Sequence, residues 1–222
     1  MSTNFRRGFV RHALVPALLC WLPLAAVAAT SQFNTDADGW VAQGDSEGPL
    51  SWVATGGNPG GHVLIDDLTT GGVTYFIAPA KFLGNQFAAL GTNLLFDLQQ
   101  VYSGSPSQFS SPDVVLQGDG LTLVYNFGAA SNYPANGSWT SYVVPLVAAQ
   151  WQLNSFSGAA PTGLQMSAAL GDLTALKIRA EFRSGSGIGH LDNVSLVPEP
   201  ASLALLLAGL GIVGLAARRR SS

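Results

Sequence analysis

Between residues 30 and 200 the chain has two histidines, His62 and His190. A serine hydrolase or a zinc enzyme would have to use one of them. Neither setting fits, because the sequence holds no Gly-x-Ser-x-Gly elbow and no His-Glu-x-x-His pair. Glu47 and Glu181, with the aspartates, offer carboxylates of the kind glycosidases pair across a scissile bond. Glu181, however, falls on the side of an alternating segment that is expected to face water. Asp36-Ala37-Asp38-Gly39 sets two carboxylates at a turn. Hard calcium gathers several such oxygens, but no full EF-hand loop is present, and capping the turn is the other account of the same pair. Trp40, Trp52, Tyr75 and Trp139 suit stacking on sugar rings and equally suit a core. Trp52 is the strongest of these. It borders the Gly-rich stretch 55–61, and loops on a rigid scaffold carry function. Trp52, Asn58 and Tyr75 are therefore the candidate ligand-binding residues, the alternative being a wide turn with positive φ at its glycines. Gly185-Ser186-Gly187-Ile188-Gly189 has no helix after it to aim amides at phosphate, so it reads as a hairpin turn.

The elements that must position these residues read as β. Turn residues recur about every ten positions and separate short β-branched and aromatic runs, the spacing of an all-β sandwich. The clearest strand is 175–182, where Leu176, Ile178, Ala180 and Phe182 should point to the core and Lys177, Arg179, Glu181 and Arg183 to water. Residues 113–127 read as a hairpin turning at Gly118-Asp119-Gly120. Further strands are expected at 94–101 and 140–146, with weaker ones at 62–66 and 72–78. Leu164, Met166, Ala169, Leu170 and Leu173 have helical spacing, which predicts a short helix before the 175–182 strand.

The two ends differ in kind from the middle. Arg6, Arg7 and Arg11 precede an apolar run over 13–29 that closes with Ala26-Val27-Ala28. That is the layout of a secretory signal peptide, expected to be cleaved, over residues 1–29. Leu19 stands before Cys20, which argues against a lipoprotein signal. At the other end Val197-Pro198-Glu199-Pro200 leads into uncharged residues 201–217 and then Arg218, Arg219 and Arg220. That run is just long enough to span a bilayer, with its arginines held on the cytoplasmic side. Between the ends, Lys81, Lys177, Arg179 and Arg183 face all 13 acids of the chain, leaving nine excess negative charges. Nucleic acid and an anionic membrane surface both demand a basic face, so this charge argues against either as a partner. Loss of Cys20 leaves no thiol for a disulfide, metal site or nucleophile.

Pro198-Glu199-Pro200, the apolar run and Arg218, Arg219 and Arg220 together resemble the PEP-CTERM sorting signal. That resemblance implies export from a Gram-negative cell that makes exopolysaccharide. It also implies transient anchoring in the inner membrane and processing by exosortase, which leaves the protein at the cell surface or in the extracellular matrix. A second resemblance covers most of residues 31–197. Phe33-Asn34-Thr35-Asp36-Ala37-Asp38-Gly39-Trp40, Trp52-Val53-Ala54-Thr55-Gly56-Gly57-Asn58-Pro59-Gly60-Gly61 and Leu191-Asp192-Asn193-Val194 are similar to laminin B (laminin IV type) domains. So are Tyr75-Phe76-Ile77-Ala78-Pro79-Ala80-Lys81-Phe82-Leu83-Gly84, Leu95-Phe96-Asp97-Leu98 and Leu173-Thr174-Ala175-Leu176-Lys177-Ile178-Arg179. The resemblance implies an all-β jelly-roll sandwich of the galactose-binding-like type over residues 30–196, with no shared catalytic centre. In such sandwiches the first loop and the last strand often meet at a structural calcium. That implies Asp36, Asp38 and Asp192 as a Ca2+ set, the alternative being that Asp192 bonds a backbone amide. The sequence thus leads to a non-catalytic surface or matrix protein. A secreted carbohydrate-binding module that holds extracellular polysaccharide is the alternative, and a secreted hydrolase stands third.

Overall fold

The computed structural model describes residues 28–44, 49–67, 72–104 and 111–196. The expected signal peptide up to residue 27, Glu47 and the whole sorting segment from residue 197 lie outside them. Twelve strands and one α-helix are assigned among the described residues: β1 (Ala29–Ser31), β2 (Val41–Gln43), β3 (Ser51–Gly57), β4 (Gly60–Asp67), β5 (Tyr75–Ile77), β6 (Asn93–Tyr102), β7 (Val114–Gly118), β8 (Leu121–Tyr125), β9 (Thr140–Pro145), β10 (Gln152–Leu153), α1 (Gly163–Gly171), β11 (Leu173–Arg179) and β12 (Gly187–Leu196). β1 begins one residue before the sandwich boundary expected from the sequence. Among the described residues no helix is long and apolar enough to cross a membrane.

The strands form two antiparallel sheets. The front sheet runs β3-β4-β12-β6-β9, with β1 paired to β12, and the back sheet runs β10-β8-β7-β11-β5-β2. The chain changes sheet at most connections, as a jelly-roll sandwich requires. Inward residues alternate along the strands: Val63, Ile65, Phe96, Leu98 and Leu191 from the front, Phe76, Leu116, Leu123, Leu176 and Ile178 from the back. The Asp119-Gly120 turn between β7 and β8 has positive φ at both positions, as a two-residue hairpin needs. α1 is capped by Thr162, whose hydroxyl accepts the Gln165 N–H while the Gln165 side chain accepts the Thr162 N–H. Met166, Ala169 and Leu170 close one end of the core. Leu164, expected on that face, is 82% exposed instead.

The alternation of the β11 segment holds for Leu176, Ile178, Ala180 and Phe182, all buried, but its polar side is not all in water. The strand ends at Arg179, and both Arg179 and Glu181 are buried. A Gly-rich hairpin at residues 185–189 is also corrected, because β11 and β12 belong to different sheets. Arg179 Nη1 lies 3.3 Å from Asp113 Oδ1, and both side chains are about 1% exposed. Asp113 Oδ2 also accepts the Phe127 N–H at 2.7 Å, and the Arg179 guanidinium lies over the Phe182 ring. Burial pushes the Asp113 carboxyl up, and the Phe127 amide and Arg179 pull it back. Removing one partner of such a pair leaves a buried charge uncompensated. Asp113→Ala should therefore cost about 3–5 kcal/mol, and Asp113→Leu with Arg179→Met distinctly less, as read by urea unfolding.

Candidate functional site

Polar side chains concentrate on the outer face of the front sheet. β12 and β6 run antiparallel with Asp192 opposite Asp97, and the next pairing is Ser195 opposite Leu95. Asn193 and Val194 therefore share one partner, Phe96. This is a β-bulge, and Asn193 takes a left-handed φ of 51° within it. The extra residue lets Val194 return to the core while Asp192 and Asn193 both serve the outer side.

The turn of the β3–β4 hairpin, Asn58-Pro59 with a cis peptide bond, folds onto this bulge. Asp192 Oδ2 accepts the Asn58 N–H at 2.6 Å, and Oδ1 accepts the Asn193 N–H at 2.7 Å. Asp97 Oδ2 accepts Nδ2 of Asn58 at 3.1 Å and Nδ2 of Asn193 at 2.8 Å. The Asn193 amide also donates to the Asn58 carbonyl. The glycines around the turn are demanded by this closeness. A Cβ on Gly57 would lie 2.3 Å from the Gly61 carbonyl oxygen and 2.7 Å from Asp192 Oδ2, and one on Gly61 would lie 2.2 Å from the Phe33 carbonyl oxygen. The stretch 55–61 is therefore a clamped hairpin end, not a wide loop. Burial raises the Asp192 pKa. The two amides oppose that rise and the Asp97 charge adds to it.

Beside this clamp His62 of β4 and His190 of β12 meet with ring centroids 5.0 Å apart, and the Trp139 ring stands edge-on to both. Trp139 Nε1 donates to the Gly56 carbonyl at 3.1 Å. Neither ring nitrogen of His190 has a hydrogen-bond partner, so no serine or carboxylate orients it for catalysis. Burial lowers both imidazoles. The Thr55 backbone opposes the fall at His62, and the His62 charge deepens it at His190, to about 4.

The expected site residues separate. Asp36 Oδ1 accepts the Asp38 N–H at 2.7 Å, which caps the turn. Asp38 is ion-paired with Lys81 and accepts the Ser31 hydroxyl at 2.8 Å, and Ser31 accepts the indole N–H of the buried Trp40. Asp192 bonds the clamp instead. The implied calcium set is thus not gathered, and among the described residues no three His, Cys, Asp or Glu side chains group to hold an ion. Trp52, 37% exposed, donates its indole N–H to the Phe33 carbonyl at 2.7 Å. Tyr75 lies on the back sheet and donates its hydroxyl to the Pro112 carbonyl, so it shares no site with Asn58. Sequence reasoning missed Asp97, Asn193 and the pairing of the two histidines. The one available signal was the adjacent Asp192-Asn193 pair in the middle of a strand.

A histidine held neutral in the fold favours the unfolded chain in acid. The stability His190 contributes should be complete above pH 6.5 and lost as pH falls toward 4, about 2 kcal/mol of it by pH 5. His190→Gln should flatten this dependence relative to the parent when both are unfolded in urea at pH 7.5 and pH 5. Asp192, whose raised pKa acts with the opposite sign, is common to both proteins and cancels in the comparison.

Comparison with known proteins places this architecture. The family model for Laminin B (Domain IV) matches residues 75–199, and that for the PEP-CTERM protein-sorting motif matches residues 196–220. Laminin subunit gamma-1 of Xenopus tropicalis is 34% identical over 172 residues, which is 75% of this chain and 10% of the laminin. The basement membrane proteoglycan of Caenorhabditis elegans is 29% identical over 68% of this chain and 4% of its own length. The chain thus spans about a tenth or less of the length of these relatives. Among solved structures the L4b domain of human laminin alpha-2 superposes with a TM-score of 0.61 at 16% identity, covering 78% of this chain and 97% of that one. The chain belongs to the Laminin B (Domain IV) family and carries a PEP-CTERM sorting motif directly after its last strand.

Proposed function

We propose that this is an exported, non-catalytic protein of the bacterial cell surface or exopolysaccharide matrix, with residues 1–29 removed as a signal peptide and the tail processed by an exosortase-type system. The observation that carries the reading is the sorting motif at residues 196–220, joined without a spacer domain to a laminin-type sandwich. The state of the candidate catalytic groups supports its non-catalytic part. Asp97 and Asp192 are spent on the Asn58 clamp, Asp113 on Arg179, and His190 has no orienting partner. In a Gram-negative host that carries exosortase, the full chain should lose its C-terminal segment and leave the inner membrane. Replacing Pro198, Glu199 and Pro200 by alanine should leave it membrane-bound at full tail length, as followed by intact mass and fractionation. Equal processing of both forms would defeat the reading.

Binding of extracellular polysaccharide is a second reading, favoured by one feature of the outer face. The half-buried Trp139 ring shares that face with Gln99, opposite His190, and with the exposed Ser141, opposite Asp97. An aromatic ring beside amide and hydroxyl groups suits a sugar ring. Titration calorimetry with soluble exopolysaccharide should show heat of binding that Trp139→Ala removes. Unchanged binding by that variant would dismiss this face as the site.

A further inference from the structure

At one end of the sandwich the stretches 82–96 and 143–171 carry no charge and expose apolar side chains. Leu164 at the start of α1 is 82% exposed, Phe87 is 54% exposed and Val147 is 37% exposed. Their elements are joined. The Gln86 N–H donates to the Leu170 carbonyl at 2.7 Å, which ties the 3-10 turn Phe87–Ala89 to α1. The Gly91 N–H donates to the Leu146 carbonyl, and the Leu146 N–H to the Thr92 carbonyl, which ties the same segment to the end of β9. No Asp, Glu, Lys, Arg or His occurs in 82–96 or in 120–171. The carboxylates at this end, Asp119 and Asp172, lie toward the back sheet, in the β7–β8 turn and at the C-cap of α1. Lys81, on the 3-10 turn that touches β1, is neutralised by Asp38.

The last described strand also ends here. Leu94 at the start of β6 is opposite Leu196 and Val144, and Leu196 is opposite Ala29. Only Val197-Pro198-Glu199-Pro200 separates Leu196 from the uncharged run 201–217. Four residues reach at most ~14 Å. If 201–217 is inserted in a bilayer, this end of the domain is held within reach of the headgroup layer, which is roughly 5–8 Å deep. Tethering at that distance keeps the local concentration of lipid high, so a few apolar side chains are enough to bias orientation. With nine excess negative charges, the domain would gain nothing by turning any other surface toward an anionic leaflet.

We infer that, before tail processing, the sandwich rests end-on against the lipid interface, with Leu164, Phe87 and Val147 entering the headgroup layer. This rests on the proposed function, because it requires the sorting segment to sit in the membrane. The far end, at Ser186, is separated from Leu196 by the ten residues of β12, about 30 Å, and stays in water.

The test uses the full chain carrying Cys20→Ala, with single cysteines introduced as Leu164→Cys, Phe87→Cys or Ser186→Cys. Each is labelled with an environment-sensitive fluorophore and reconstituted into phosphatidylcholine–phosphatidylglycerol vesicles with and without headgroup-proximal spin-labelled lipid. All three positions are exposed, so the fold should tolerate the labels. The expected result is blue-shifted emission, quenched by the spin-labelled lipid, at 164 and 87, and water-like unquenched emission at 186. Water-like emission at all three positions, from chains that resist alkaline carbonate extraction, would overturn the inference and leave the membrane-sorting reading intact. A blue shift without lipid quenching would assign the patch to a second protein copy and also overturn it. Extraction of the chain by carbonate would remove the membrane-sorting reading itself, and the inference with it.

Discussion

Asp97 and Asp192 stand directly opposite each other on adjacent strands, both buried, and like charges in that position repel. The outer face is built around making that pair tolerable. Four N–H donors surround the carboxylates, two from Asn58 and two from Asn193, each residue giving its backbone amide to Asp192 and its side-chain amide to Asp97. For Asn193 to do this the strand must bulge and adopt a left-handed φ. For Asn58 to do it the β3–β4 hairpin must fold down over β12. That descent leaves no space for side chains at Gly57 and Gly61, and it places the Gly56 carbonyl where Trp139 reaches it. The burial of two facing carboxylates, and the amides it requires, thus accounts for the bulge, the glycines, the tight turn and the cover over the histidines.

A second buried charge is handled in the opposite way. Arg179 and Asp113 neutralise each other directly, and rings do the rest. Phe182 stacks on Phe127 and Phe127 on Tyr142, which carries the aromatic contact from the back sheet to the front. Burying an ion pair is weakly favourable at best, but it penalises any packing that separates the partners. The two devices lie in different parts of the sandwich and fix different things. The acid pair fixes the position of a hairpin against one face, and the ion pair fixes the end of β11 against the start of β7. Both absorb buried ionisable groups into structure.

Much of the frame was legible in the sequence where a short-range rule decides. The Asp119-Gly120 hairpin, the short helix before β11 and the apolar side of β11 each follow from neighbours within a few residues. Alternation says which residues share a face, but not whether that face is later covered. Arg179 and Glu181 were therefore expected in water, and they are buried by segments distant in the chain. Leu164 is the reverse case, since helical spacing includes it and the first turn of a short helix runs past the core it packs on. The short strands β1, β2 and β10 have too few residues to show a period. Asp192 was singled out with its backbone-amide partner left open. Its true neighbours, Asn58 and Asp97, depend on the bulge, which no local pattern announces.

The pairing of β1 with β12 brings the first and last described residues of the domain to the same end. On the proposed export route, with the chain led across the membrane at one terminus and held by the other, this arrangement has a use. Both attachments would then act on one end of the body. The geometry also divides the surface by distance from that end. The charge-free connections 82–96 and 143–171 surround it, while Asp66, Asp67 and Arg183 sit where β4 ends and β12 begins, a strand length away. The charge-free part of that end is thus set by which connections carry charge, with Asp119 and Asp172 lying toward the back sheet beside it. It would survive changes in the outer face that carries Trp139, because the two surfaces are built by different parts of the chain.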